Sequence, residues 1–318
     1  MDRVKKMNYI LKRSLSIVFI LLFVSIITFL VFEVIPGDPV LSKLGIDADE
    51  AQVEALRKEL GLDRPLTIRY VEWITKAIKG DLGTSIRFER PVMELIKNRL
   101  GLTALITAMS LFFIIIIGFP LGILITKNEN KFGFAMSLLS QIGMAIPSFW
   151  LGIIITYIFG LVLKLFIPGQ YVSFAEDPTA AFTYLFFAVL AIAIPKISVI
   201  IRYLRDSILE QKNQDYIRTA RSKGANNNYI MYIHVLRNAL LPVITVLGML
   251  TASVLGGSLI VEKVFNIPGI GRLLILAVAN RDLPLVEGIV LYIAAIVVLL
   301  NFVVDLLYRV IDPRIKLS

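Results

Sequence analysis

Very few side chains in this 318-residue sequence could do chemistry, and their positions limit what that chemistry can be. There is no cysteine, so no disulfide framework and no thiolate metal site can form. The one histidine, His234, rules out a zinc site built on several histidines. It also leaves no Ser-His-Asp triad unless His234 itself serves one, and its place in a polar loop fits an ordinary surface or packing role better. No GxxxxGK[ST] loop is present to cradle phosphates, so any ATP-driven work would need an ATPase on another chain. Ionisable residues inside apolar stretches are few: Glu33, Lys164, Lys196 and Asp305. A charge at membrane depth costs about 2.5–3.5 kcal/mol on insertion scales, which makes each a functional candidate. Lys164 is expected to snorkel to an interface. Asp305, four residues before Arg309, is expected to form a local ion pair. Lys196, just after Pro195, either snorkels or lines a wet pathway.

The elements that carry these residues are apolar helices. The chain is 57% hydrophobic, against about 45–50% for soluble domains. Several runs exceed the roughly 18 residues that suggest a membrane span. Six spans are expected, at about 14–35, 100–126, 134–166, 180–203, 240–261 and 285–310. The first follows a basic stretch and runs on into Pro36-Gly37-Asp38-Pro39, so it is expected to be a retained helix and not a cleaved signal. The third is interrupted at Ala145-Ile146-Pro147-Ser148, and Pro120 and Pro195 predict breaks in the second and fourth. The fifth carries Gly248, Ala252 and Gly256 at four-residue spacing beside Ser253, a small-residue face that serves either packing within the bundle or the pathway.

Charge sets the topology. The two ends and the segments 126–133 and 202–239 hold 17 Lys and Arg, whereas 167–179 holds none and 262–284 holds three. Both termini are therefore expected in the cytoplasm of a multi-pass protein of the cell membrane. Residues 36–99 are then extracytoplasmic, electrically balanced with eleven basic and eleven acidic residues, and helical near 48–60 and 66–78. The net charge of +9 is ascribed to this cytoplasmic excess and not to nucleic acid. The domains so read are 1–35, 36–99, 100–311 with a cytoplasmic loop at 204–239, and a tail at 312–318.

That loop, from Asp215 to Pro242, reads as two short helices with a break. Asp215 suits the positive N-terminal end of the first helix, and Arg221 and Lys223 suit its C-terminal end. Gly224 is the expected left-handed stop, and Asn226, Asn227 and Asn228 offer caps for a second helix near Tyr229. Tyr216, Ala220 and Gly224 form one face that could lie against another protein. On helix signals alone this is a surface loop.

The same stretch resembles the coupling loop of ABC importer permeases, whose pattern is Glu-Ala-Ala, three residues, Gly, nine residues, Ile-x-Leu-Pro. Gly224 takes the glycine place. Arg218, Thr219 and Ala220 take the Glu-Ala-Ala places with only the last alanine kept, and of His234 to Arg237 only Leu236 matches. That departure is similar to the dipeptide, oligopeptide and nickel branch, in which the runs Ala220 to Gly224 and His234 to Pro242, with Arg237 and Asn238, have counterparts. Pro36 to Pro39, Gly80 to Gly83, Ile146 to Trp150, Pro268 to Gly271 and Asp312 to Arg314 look like further marks of that branch.

The resemblance implies an all-α integral membrane protein with the type I ABC importer permease fold, six transmembrane helices and an extracytoplasmic segment between the first two. It implies a non-enzymatic translocation subunit for di- or oligopeptides, with nickel or another small solute as the alternative. The implied partners are a homologous second permease, two ABC ATPases that use ATP and Mg, an extracytoplasmic solute-binding protein and membrane lipid. No cofactor or metal is expected on this chain. The competing class, a self-sufficient secondary carrier, should show acidic or histidine relays deep in the bundle, which are scarce here. A membrane-embedded enzyme would have to rely on serine or carboxylate chemistry.

Overall fold

A computed structural model describes residues 2–34, 38–45, 47–127 and 131–311, with side chains described at 14–31, 38–45, 47–127, 131 and 133–304. The side chains of Glu33, Asp305 and Arg309 therefore lie outside the described residues, as does the tail from 312. The described chain is helical almost throughout, and its one β-bridge pairs Thr84 with Pro91. Among the described residues, five helices are long and apolar enough to cross a membrane, and a bent helix pair makes six if it counts as one span.

The chain divides into two compact units. The first comprises residues up to Leu102 together with Pro268–Phe302. It holds α1 (Asp2–Val34), α2 (Pro39–Leu44), α3 (Glu50–Glu59), α4 (Leu66–Ile78) and the start of α5 (Val92–Lys127). α3 and α4 fall where helix patterns place them. Asp38 caps α2 by accepting from the Val40 N–H at 2.8 Å, and also pairs with Arg57. The turn from Gly80 to Pro91 is anchored by Asp282, which is 1% exposed. Its carboxylate accepts from the backbone N–H of Ile86 at 3.0 Å and of Arg87 at 3.2 Å, and from the Ser85 hydroxyl.

The second unit is built around α8 (Pro178–Lys212), whose apolar window is 72% buried, against 17–33% for the other long spans. α6 (Lys131–Ala145), α7 (Ser148–Ile155) and α11 (Leu236–Val264) pack on it. Between membrane helices there is little hydrophobic drive, so close van der Waals approach must do the work. Glycines permit it: a Cβ at Gly118 or Gly122 of α5 would come within 3.0 Å of Ile200 or Leu204, and one at Gly143 within 2.3 Å of Ser198 Oγ. Phe159, Phe166, Tyr184, Phe187 and Phe265 form an aromatic cluster at one end of α8, with the Tyr184 hydroxyl donating to the Phe265 carbonyl.

Several sequence expectations need correction. Pro120 and Pro195 do not break their helices, since α5 and α8 run through both. Each proline deletes one backbone hydrogen bond, and neighbouring helices hold the segment straight enough to continue. The break at Ala145–Ser148 is sharper than an interruption, because the helices on its two sides lie at 102°. The stretch from Pro268 to Pro284 is not a plain loop. It contains α12 (Ile270–Ala279), ten residues that are too short for a span and were concealed by the flanking Gly and Pro. Finally, the loop's second helix does not stop before the fifth span. α10 (Asn227–Tyr229), a π-helical stretch Ile230–Val235 and α11 form one helical run from Asn227 to Val264.

Candidate functional site

α9 (Asp215–Ser222) is the first helix of the loop and begins three residues after α8 ends. Asp215 occupies its first turn and pairs with Arg218 at 3.4 Å, and Arg221 occupies its last. Both charges complement the helix dipole. Thr219 donates back to the Asp215 carbonyl at 3.1 Å, which satisfies its hydroxyl within the helix. Gly224 adopts φ +81°, and the Ala225 N–H reaches the Ala220 carbonyl at 3.1 Å while the Gly224 N–H reaches Arg221 at 2.9 Å. This Schellman closure needs a left-handed residue, which glycine supplies without steric cost. The Asn226 side chain then caps the next helical run by accepting from the Asn228 N–H at 2.7 Å.

Two of the candidate residues meet across 22 positions of sequence. The Tyr216 hydroxyl bonds the Gln211 side chain at 2.7 Å and accepts from Asn238 Nδ2 at 3.1 Å. Asn238 also donates to the His234 carbonyl at 3.1 Å. The His234 ring is half-buried and meets Tyr229 edge-on at 5.4 Å, a packing role. Asp215, Arg218, Thr219, Gly224, Arg237 and Asn238 are exposed, and Ala220 is half-buried. A Cβ on Gly224 would meet nothing within 4 Å, so none of the described residues covers that end of the face.

The residue that seats the helix is Ile217, at 1% exposure. Sequence reasoning passed over it, although it is the one aliphatic side chain in the run Asp215 to Ser222 with a branched, strongly apolar surface. Gln211, which receives the tyrosine, carried no signal at all.

The second set of candidates lies along α8 and α11. Lys196 does not run along its own helix toward an interface. Its ammonium donates to Ser253 Oγ on α11 at 2.8 Å, joining two residues chosen separately from the sequence. The small-residue face divides. Gly248 is buried inside the packing and Ala252 is half-buried, whereas Ser253 and Gly256 are exposed and form one stripe with Met249 and Ile260. Space beside Gly256 is open, with nothing within 4 Å of its Cβ position. Nearer the loop, the Ser207 hydroxyl of α8 donates to the Ala239 carbonyl of α11 at 2.9 Å, both residues being buried. Near the other end of α11, Glu262 is fully buried and accepts from Thr103 at 2.6 Å. Glu262 had been placed just beyond the fifth span, and only the extra length of α11 reveals it as an interior carboxylate.

Comparison with known proteins now identifies the fold and family. Residues 118–317 match the family described as binding-protein-dependent transport system inner membrane component, and residues 6–107 match its N-terminal companion. A putative peptide permease protein of Brucella ovis is 39% identical over 98% of this chain and all of its own length. An oligopeptide transport system permease protein of Bacillus subtilis is 36% identical over 97% of this chain and 99% of its own. Among solved structures, an inward-facing methionine ABC transporter, MetNI, aligns with a TM-score of 0.57 at 20% identity, covering 69% of this chain and 97% of that one. An amino acid ABC transporter gives a TM-score of 0.51 at 18% identity over 70% and 94%. The helical architecture is thus that of the type I ABC importer permeases, and the chain belongs to the family of binding-protein-dependent transport system inner membrane components, the permease subunits of ABC importers.

Proposed function

We propose that this chain forms half of the translocation pathway of an ATP-driven importer of di- or oligopeptides. The carrying observation is similarity along essentially the whole chain to proteins named as peptide and oligopeptide permeases. In this reading a homologous second permease supplies the other half. Two ATPase subunits bind ATP and Mg on the cytoplasmic side, and a solute-binding protein delivers the peptide outside. This chain binds neither nucleotide nor metal. Both termini and the loop at 204–239 face the cytoplasm, which agrees with the excess of Lys and Arg there.

The α9 helix is the coupling element. Its face of exposed Tyr216 and Gly224 with half-buried Ala220 seats on an ATPase, and movement of the ATPases rotates the helix as a rigid body. A seat of this kind has to grip without deforming. Ile217 and the bonds from Tyr216 to Gln211 and Asn238 supply the stiffness. Lys196 and Ser253, held together beside the open surface at Gly256, are the polar positions of the pathway.

The test is purification from mild detergent followed by mass spectrometry and reconstitution. Recovery of a second permease and P-loop ATPases, with peptide uptake that requires ATP and the binding protein, is the expected result. Uptake of nickel instead of peptide would reassign the solute and keep the architecture. Gradient-driven transport by the chain alone would overturn the proposal.

A further inference from the structure

α4 carries three stripes. Tyr70, Trp73 and Ala77, spaced by three and four residues, turn toward α1, where Phe29 meets the Tyr70 ring edge-on at 5.4 Å and the Trp73 ring at 6.4 Å. Arg69, Glu72, Lys76 and Lys79 form a charged stripe. The third stripe is Ile68, Val71, Thr75 and Ile78, spaced by three, four and three. It is apolar, yet the described residues leave much of it uncovered: Ile68 is 47% exposed, Val71 56% and Ile78 80%. The polar atom of Thr75 is turned inward, since its hydroxyl donates to the Val71 carbonyl at 2.7 Å and is 2.9 Å from that of Glu72. The stripe therefore presents methyl groups along its whole length. A helix in water does not keep such a face uncovered.

Depth says what covers it. The Tyr70 hydroxyl is 2.8 Å from Ser25 Oγ. Ser25 lies within the apolar stretch of α1, which continues for at least six residues beyond it, to Val31, or about 9 Å at 1.5 Å per residue. A tyrosine side chain spans less than that distance, so the backbone of α4 at Tyr70 lies no farther out than the apolar end of α1. Around the same end of α1, Phe23, Ile27, Leu30 and Val31 are also exposed and apolar. The unpacked stripe is thus continuous in depth with a surface that must meet acyl chains. Tyr70 and Trp73 are the residue types that favour the interface, Arg69 lies over the Phe29 ring at 5.7 Å, and the exposed Lys76 and Lys79 lie where lipid phosphates would be.

We infer that α4 is an interfacial anchor that lies in the outer leaflet of the bilayer, with Ile68, Val71, Thr75 and Ile78 among the acyl chains and its basic flank at the headgroups. The assignment of the leaflet rests on the topology proposed above. The anchor fixes residues 38–91 on the membrane surface.

The absence of cysteine makes the test direct. Single cysteines replacing Ile68, Val71, Ile78 and, as a control, Glu72 are spin-labelled in the complete importer in nanodiscs of phosphatidylethanolamine and phosphatidylglycerol. Relaxation by oxygen, which partitions into lipid, is compared with relaxation by a water-soluble nickel chelate. The expected result is an oxygen-favoured ratio at the three stripe positions, reversed at Glu72. Val71→Asp should shift the label at 78 toward the chelate. Chelate-favoured labels along the stripe would overturn the inference. So would labels shielded only when the solute-binding protein docks, because the stripe would then be a protein interface. Sidedness is read separately by a membrane-impermeant maleimide on Glu59→Cys in intact cells. Labelling from outside supports the outer leaflet, and its absence overturns that placement through the topology and not through the stripe.

Discussion

Truncating Ile217 to alanine should uncouple ATP hydrolysis from transport without preventing assembly. Ile217 is 1% exposed, and it is the buried residue of α9. The other tethers are hydrogen bonds at the surface, from Tyr216 to Gln211 and Asn238, each worth about 0.5–1.5 kcal/mol at most. Ile217→Ala removes three carbons from a packed site, which at about 0.8 kcal/mol per methylene amounts to about 2–3 kcal/mol, with any residual cavity adding to it. At 1.36 kcal/mol per tenfold, α9 should detach about 30- to 160-fold more often. The long spans lie elsewhere, so insertion should be normal. Hydrogen exchange of residues 216–224 in the assembled importer reads the detachment, and uptake per ATP hydrolysed reads the coupling. The expected outcome is faster exchange together with a lower uptake ratio. Exchange that accelerates by the stated factor while the uptake ratio stays at the wild-type value would refute the lever. α9 would then be a surface helix whose stiffness the cycle does not use.

Other substitutions separate the remaining parts. Gly224→Arg places a side chain at φ +81°, at a cost of about 1–2 kcal/mol, and on the face proposed to seat the ATPase. The variant should insert and be stably expressed but lose ATP-coupled uptake, and normal uptake would remove α9 from the coupling role. Lys196→Met should leave assembly intact and lower the transport rate if the Lys196–Ser253 pair borders the pathway; an unchanged rate in proteoliposomes would return Lys196 to a packing role. Asp282→Ala strands the buried N–H of Ile86 and the N–H of Arg87, with a penalty of about 1–3 kcal/mol for each group left unsatisfied. Limited proteolysis should then cut within 84–91, and an unaltered digestion pattern would show that the turn is held by something else.

What the sequence disclosed depended on how local the cause was. The α9 helix, its left-handed stop at Gly224 and the Asn226 cap were legible because each is set by residues within five positions. α4 was legible from its three- and four-residue spacing. Pro120 and Pro195 misled because their effect depends on neighbouring helices that a linear reading lacks. α12 was obscured because ten residues between Gly269 and Asn280 resemble a loop as much as a helix. Asp282 and Glu262 were unreadable for a different reason. Their partners, Ser85 and Thr103, lie 197 and 159 residues away, and no local pattern marks such a pair. Tyr216 and Asn238 were both chosen, but that they bond to each other became visible only once the chain between them turned back.

With α9 as the proposed coupling element, the second unit holds a series of bonds that leads from the loop to the paired pathway candidates. Asn238 receives α9 through Tyr216 at the start of α11, and one residue later the Ala239 carbonyl is bonded to Ser207 of α8. From Asn238 to Ser253 is fifteen residues of uninterrupted helix, about 22 Å at 1.5 Å per residue. There Lys196 of α8 closes the second bond between the same two helices. α8 and α11 are thus tied at both ends of the route, so a rotation delivered at α9 would have to break the buried Ser207–Ala239 bond and the exposed Lys196–Ser253 bond to be absorbed by sliding one helix against the other. It could be absorbed at the π-helical stretch Ile230–Val235, whose wider turns interrupt the regular ladder between α10 and α11, or at Pro242 inside α11, which lacks a backbone donor. α9 packs on that stretch, and the Tyr216–Asn238 bond adds a second connection beyond it. Breaking this connection with Tyr216→Phe should therefore lower uptake per ATP, although the bond itself contributes only about 1 kcal/mol to stability. A Tyr216→Phe importer that couples as well as the wild type would show that the load passes through Ile217 alone.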